Sequence, residues 1–278
     1  MFTNRTLVVA TMHQKERVIA PLLEKELGVH CVVASGLNTD LLGTFSGEID
    51  RQLDPMATLR QKCQIALELT GADLAVGSEG SFGPHPTLYF VPANDELVML
   101  VDKKHGLEIA ARELSTSTNF AGEAITDICG MEAFTQKVGF PEHALILRPN
   151  RSVNKPLIKG INSYDLLTQT FNNMMQQYGE VYAETDMRAM HNPTRMKVIE
   201  SAVEKLITKV KSTCPQCKIP GYDVAEVMPG LPCSWCGLPT RSTLSWLYRC
   251  SHCNHTQIAL HPHGKATEDP MYCDGCNP

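Results

Sequence analysis

The chain has 278 residues, 43% of them hydrophobic and 20% charged, with a formal net charge of −5; that is enough for one large domain or two, with the composition of a globular protein rather than a disordered one. Lys and Arg number 21 against 25 Asp and Glu up to residue 212, and 4 against 5 beyond it, so neither part has the positive footprint of a nucleic-acid binder. No stretch approaches the roughly 18 apolar residues of a membrane span, and the opening MFTNRTLVVATMHQKER holds only a four-residue apolar run, so the expectation is a cytoplasmic protein with no membrane partner.

Short β-branched runs alternate with helical patterns from the start: TLVVA (6–10), KERVIAPLLEKEL, HCVVAS, MATLRQKCQIALELT and ADLAVGS. That alternation predicts an α/β layer fold. LYFVPANDELVMLVD reads as two strands about a Pro-Ala-Asn-Asp turn, a hairpin that makes the sheet mixed. After ARELSTSTNFAGEAITDI comes a loop-helix, and GMEAFTQKVGFPEHALILRP reads as helix, turn and strand. SYDLLTQTFNNMMQQYG is an amphipathic helix ended by Gly179, EVYAETDMR a strand, and PTRMKVIESAVEKLITKVKS a long helix that closes a first domain, residues 1–212.

Three segments of that domain concentrate chemistry. After the first strand, ATMHQKER offers Thr11, His13 and Lys15, a hydroxyl, an imidazole and an ammonium suited to cradling phosphate. The segment SEGSFGPHP reads as a glycine-punctuated loop with Glu79 at its mouth, where a carboxylate can hold Mg²⁺ against that phosphate. Ligands of α/β sheets bind outside the carboxyl ends of strands, which is where both loops fall. The third segment, ETDMRAMHNPTRM (184–196), crowds Glu184, Asp186, Arg188, His191 and Arg195 between a strand and a helix. Asn192 as N-cap and Pro193 at the first helical position mark that helix's start, and the free N–H groups of such a terminus attract anions. The competing reading is a connection whose acids and arginines pair with one another.

Of eleven cysteines, Cys31, Cys63 and Cys129 are scattered in apolar settings and read as core residues. The other eight form four Cys-x-x-Cys pairs in residues 213–278: Cys214 and Cys217, Cys233 and Cys236, Cys250 and Cys253, Cys273 and Cys276. Two residues between cysteines let the backbone fold into a knuckle, and two knuckles supply the tetrahedral thiolate set that zinc prefers. Four pairs make two closed structural sites. The simplest pairing joins first with second and third with fourth, with nested and crossed pairings open; His252, His255, His261 and His263 are then surface residues. Two such ions with eight thiolates carry about −4 in formal charge, which turns the tail away from phosphate backbones and toward dimerisation, as a homodimer, or docking of a protein partner. Trp235 and Trp246 are candidate anchors.

ATLRQKCQIALELTGADLAVGSEGS and VVATMHQKERVIAPLL resemble, over about 110 residues, the inosine triphosphate pyrophosphatase-like proteins, especially their non-canonical purine nucleotide phosphatase branch. His13 stands where that family has Asn, and Lys15 is one place out of register. The whole chain is similar to a bacterial family of uncharacterised proteins that combine SEGSFGPHP, ETDMRAMHNPTRM and a four-knuckle tail. The first resemblance implies a mixed-sheet domain that hydrolyses a nucleoside triphosphate between its α and β phosphates with Mg²⁺. It implies Glu79 as metal ligand or base, Glu48 as second acid, Lys15, Lys62 and Arg195 on phosphates with Arg188 nearby, and Asp186 and His191 for base or proton contacts. The alternative is a non-enzymatic ligand-binding or adaptor protein whose tail docks a partner.

Overall fold

The computed structural model describes residues 1–37, 53–153 and 155–278, and divides into two compact units, Met1–Ile207 and Thr208–Pro278. The first is mixed α/β. Its larger sheet has the strand order β2-β1-β3-β4-β5, built from β1 (Thr6–Ala10), β2 (His30–Val33), β3 (Leu74–Pro84), β4 (Pro92–Asp102) and β5 (Leu107–Ser115). β1 runs parallel to β2 and β3, while β3, β4 and β5 form an antiparallel meander. The helices α1 (Glu16–Leu27) and α2 (Pro55–Thr70) make the parallel crossovers. α2 starts where Asp54 caps the N–H of Ala57 and ends at Gly71 in the left-handed region, φ 68°.

Two readings of this region are overturned. Residues of SEGSFGPHP do not form a loop: β3 continues through Pro84, and Glu79 sits in mid-strand opposite Leu97. Two glycines of β3, Gly77 and Gly80, are there because neighbours come too close for a side chain. A Cβ on Gly77 would lie 2.9 Å from both Cys63 Sγ and Leu59 Cδ1 of α2. Nor is Pro-Ala-Asn-Asp a turn; Pro92 opens β4, the one strand position where a missing N–H is harmless. The hairpin turn is instead His85–Val91, closed by the N–H of His85 on the Val91 carbonyl at 2.8 Å.

A second sheet, order β6-β9-β7-β8 and antiparallel throughout, is made by β6 (Gly122–Ile125), β7 (Leu145–Arg148), β8 (Ile158–Ile161) and β9 (Val181–Thr185). β5 ends and β6 lies within ARELSTSTNFAGEAITDI, and a helix follows it. α3 (Ile128–Val138) and α4 (Tyr164–Tyr178) share a core with this sheet, built on Phe134, Leu145, Leu147, Phe171 and Ala183. α5 (Pro193–Lys211) carries the chain across the boundary between the units. Within the first unit it is tied to β4 by Arg195–Glu96 and to β5 by Lys205–Glu113.

The second unit has one three-stranded antiparallel sheet, order β10-β11-β12: β10 (Asp223–Pro229), β11 (Thr243–Arg249) and β12 (Thr256–Leu260). Its small core combines Cys214, Cys250 and Tyr222. Among the described residues no helix is long and apolar enough to cross a membrane. Of the three scattered cysteines only Cys63 is buried; Cys31 is half-buried and Cys129 is exposed on α3, so the latter is not a core residue.

Candidate functional site

β1 stops pairing with β3 at Ala10↔Gly77, so beyond that point one edge of β3 is left for the loop that follows β1. Lys15, at the cap of α1, fills that edge: its buried Nζ donates to Ser78 Oγ at 3.0 Å and to the Ser78 carbonyl at 3.3 Å. Burial is the main force that lowers the Lys15 ammonium to about 7, and the charge of Arg195 adds to it. His13 is pushed down to about 4, first by burial and then by Lys15, Arg195 and Arg188, so it stands neutral at neutral pH. Thr11, on the same loop, is buried, and among the described residues its hydroxyl has no hydrogen-bond partner.

Side chains alternate along β3, so Ser78 and Gly80 face one way and Glu79 the other, toward α2. There Glu79 pairs with the buried Nζ of Lys62. On the opposite face Glu96, cross-strand neighbour of Gly80, holds Arg195 with Nε to Oε1 at 2.7 Å, both side chains 0% exposed. Arg195 also donates NH1 to the Met187 carbonyl and lies 5.1 Å from the centroid of the Phe82 ring. A Cβ on Gly80 would be 2.4 Å from Glu96 Oε1 and 2.5 Å from Arg195 NH2, so only glycine leaves room for this pair.

The crowded segment 184–196 folds as the end of β9, a 3₁₀ turn (Ala189–His191) and the start of α5. Asn192 accepts the Arg195 N–H on Oδ1 at 2.9 Å, the capping bond expected from the sequence, and its Nδ2 donates to Asn119 Oδ1 at 2.8 Å. Asp186 is wholly buried. Its carboxylate accepts from the N–H of Gly160 and from the N–H, Nε and NH2 of Arg188 at 2.6 to 3.2 Å. Its lone pairs are thus filled, which suits it to positioning Arg188. Glu184 pairs with Arg148. His191 is half-buried and lowered by burial, with Arg188 adding to the effect and Asp186 opposing it.

The charges of Lys62 and Glu79 on one face of β3 and of Arg195 and Glu96 on the other all reach Lys15 at its edge, and those of Arg195, Arg188 and Asp186 reach His13; Thr11 lies on the same loop. Arg188 and Asp186 also act on His191. Glu48 lies outside the described residues. The sequence motifs do not single out Glu96, Ser78 or Asn94 as site residues. A signal for two of them exists: Asn94 and Glu96 continue the buried face of Val98 and Leu100 with polar residues, at strand spacing.

In the second unit the eight cysteines gather as two groups of four, Cys214, Cys217, Cys250, Cys253 and Cys233, Cys236, Cys273, Cys276, the sulfurs of each lying within 4.8 Å of one another. The sequential pairing is thereby corrected to an interleaved one, first knuckle with third and second with fourth. Pairing of β10 with β11 is the cause: Asp223↔Arg249 brings the strand after the first knuckle to the strand before the third. Sulfur separations of 3.6 to 3.9 Å match the edge of about 3.8 Å of a tetrahedron with zinc–sulfur bonds near 2.3 Å. They are far longer than a disulfide bond of about 2.05 Å. Three knuckles share a backbone device, a left-handed residue directly after the second cysteine: Lys218 (φ 63°), Gly237 (φ 73°) and Asn254 (φ 58°). The donor set fits two zinc ions, and the four histidines stand outside both groups. Trp235 is 81% exposed on the second knuckle, whereas Trp246 packs edge-on against His263 at 5.3 Å.

Residues 62–278 match the model of a family described as Domain of unknown function (DUF6671). No curated protein matches. Among solved structures, the crystal structure of protein VC0702 from Vibrio cholerae is 10% identical, with 74% of this chain and 94% of that chain covered and a TM-score of 0.30. A superposition that loose says nothing about fold or activity.

Proposed function

The chain belongs to the DUF6671 family, and for this member we propose a Mg²⁺-dependent phosphohydrolase that holds the phosphates of a nucleoside triphosphate, or of a smaller phosphorylated molecule, at the carboxyl end of β1. One observation carries the reading. Arg195, Lys62 and Arg188 each have a carboxylate, but among the described residues Lys15 has only Ser78, and the hydroxyl of Thr11 on the same loop has no partner. A buried cation without a counter-ion is unfavourable until an anion reaches it. A phosphate accepting from Lys15 and Thr11 supplies that charge.

The likeness to inosine triphosphate pyrophosphatase-like proteins supports cleavage between the α and β phosphates. Mg²⁺, when bound, supplies Lewis acidity and a more acidic water. Glu79 would be the one carboxylate that shares the ion with substrate phosphates, exchanging its pairing with Lys62 for the ion. Lys62 then serves as the neighbouring phosphate contact. His13, neutral and half-buried, is the group placed to move a proton. Asp186 fixes Arg188, and Glu96 fixes Arg195. Pure protein with Mg²⁺ should release pyrophosphate from at least one purine or pyrimidine nucleoside triphosphate, with turnover abolished in Glu79→Gln of unchanged fold. Silence across the whole panel overturns the proposal.

A second reading, an adaptor whose tail docks a protein partner, is favoured by the exposure of Trp235 alone. Trp235→Ala should then lose partner capture and leave nucleotide turnover untouched.

A further inference from the structure

The two cysteine groups of the second unit offer the same donors in different surroundings. In the first group Cys214 and Cys250 are buried, Cys217 and Cys253 are half-buried, and all four share a cluster with Tyr222 and Tyr248. The buried Tyr222 ring stacks on Tyr248 at 5.6 Å and on His255 at 6.0 Å, so three rings stand beside that group. The second group is more open. Cys233 and Cys273 are buried and Cys276 is half-buried, but Cys236 is exposed. Trp235 and Leu238 on its own knuckle, and Met271 and Tyr272 before the facing one, are exposed as well, so these side chains turn to solvent instead of packing over the sulfurs. A zinc-bound cysteine is held as its thiolate, the form that attacks electrophiles, and oxidation selects the thiolates that solvent reaches. Of the eight ligands Cys236 is the exposed one. A second sulfur is at hand for it, Cys273 Sγ at 3.6 Å across the two knuckles. Cys233, by contrast, is buried and accepts the Trp235 N–H on its sulfur at 3.4 Å.

We infer that the second cysteine group is an oxidation site, at which a hydroperoxide joins Cys236 and Cys273 in a disulfide and frees the ion, while the first group keeps its own. Cys236 Sγ attacks the terminal oxygen of the hydroperoxide. An S–O bond forms as the O–O bond breaks, giving a sulfenic acid and an alkoxide, or hydroxide from hydrogen peroxide, that takes a proton from water. Cys273 Sγ then attacks Cys236 Sγ, the S–S bond forms as the S–O bond breaks, and the departing hydroxide is protonated in turn. Two thiolates thereby lose two electrons, and the hydroperoxide gains them. Closing the sulfurs from 3.6 Å to the about 2.05 Å of a disulfide leaves Cys233 and Cys276 as two ligands where a closed site needs four. The damage stays local. The first and third knuckles flank the paired strands β10 and β11, and the first group still joins them.

The test treats the full zinc-loaded chain with hydrogen peroxide, follows zinc release with a metal indicator and maps the oxidised cysteines by mass spectrometry after alkylation. One ion per chain should leave at least roughly 10-fold faster than the other, in step with a Cys236–Cys273 disulfide, and a thiol reductant with added zinc should restore it. Cys236→His keeps four ligands, since imidazole replaces one thiolate in such sites, and should lose the fast phase. First loss from the group of Cys214, Cys217, Cys250 and Cys253, loss of both ions together, or no loss at peroxide levels that oxidise the exposed Cys129 overturns the inference. So does a Cys236→His protein with two ions that still releases one at the fast rate; where that variant holds a single ion, the disulfide map of the wild type decides. A wild-type chain that does not take up two zinc ions overturns it as well.

Discussion

Replacing Gly80 with alanine puts a methyl carbon 2.4 Å from Glu96 Oε1, 2.5 Å from Arg195 NH2 and 2.7 Å from Glu96 Cδ. These are the ends of long side chains, and at a surface they would swing aside. Here both are 0% exposed, and the guanidinium is held by the Met187 carbonyl and the Phe82 ring. Restoring ordinary contact requires the carboxylate to move by about 1 Å, the distance at which a hydrogen bond of 2.7 Å ceases to be one. Separating a buried pair costs about 3–5 kcal/mol. For a unit of this size that lowers the unfolding midpoint by roughly 6–20 °C. Gly83 is the control in the same strand: a Cβ there meets nothing within 4 Å, and its backbone is not left-handed. Gly83→Ala should be neutral or stabilising by about 0.4–1 kcal/mol, through the unfolded chain alone. Thermal unfolding of the two variants gives opposite signs. A Gly80→Ala protein as stable as wild type would mean that the Arg195–Glu96 pair is not locked.

Lys15 gives a pH prediction. Its folded value, about 7, lies below the ordinary 10.5, so between those values the unfolded chain binds the extra proton and stability rises with pH. The burden of the buried charge is fullest below pH 7, so Lys15→Met should stabilise most there and progressively less toward pH 10.5, measured as denaturant midpoints across that range. Metal content tests the interleaving: Cys214→Ser with Cys250→Ser should remove one zinc ion per chain, because both cysteines serve one group, whereas Cys214→Ser with Cys233→Ser should remove both. Elemental analysis of the purified variants reads this directly, and chelation of the wild type should unfold the tail. Asp186→Asn removes the carboxylate that holds Arg188 and should lower stability by about 1–3 kcal/mol without changing the zinc content.

What the sequence makes legible follows physical range. α4 and α5 have periodic apolar faces and local caps, Ser163 to α4 and Asn192 to α5, so their bounds can be read from neighbouring residues. β3 misleads because its glycines resemble punctuation; Gly77 and Gly80 answer to Leu59, Cys63, Glu96 and Arg195, which lie at a distance in the chain. Pro-Ala-Asn-Asp has local turn chemistry, overruled by eleven consecutive pairings between β3 and β4. β6 and β8, four residues each, carry too little pattern to announce a second sheet. Knuckle spacing reveals the ligands but not their partition, which β10–β11 pairing decides. Arg195 and Glu96 are 99 residues apart, and no local feature connects them.

The two readings of segment 184–196, a site or a connection whose charges cancel, are not exclusive. Arg188 and Arg195 are cancelled, by Asp186 and Glu96, and the burial of those pairs makes them poor ligands but stiff supports. Their fields act on groups beside them: both depress His13, and Arg195 depresses Lys15. Before an ion takes Glu79, each of Lys62, Arg188 and Arg195 is held by a carboxylate, and Lys15 is the ammonium of this group, among the described residues, whose charge an incoming anion completes, on the loop that also carries the partnerless hydroxyl of Thr11. An anion bound there must raise the Lys15 pKa, so binding at pH 8 takes up a proton. Titration in two buffers of different ionisation enthalpy should report that uptake, and its absence would place the anion elsewhere.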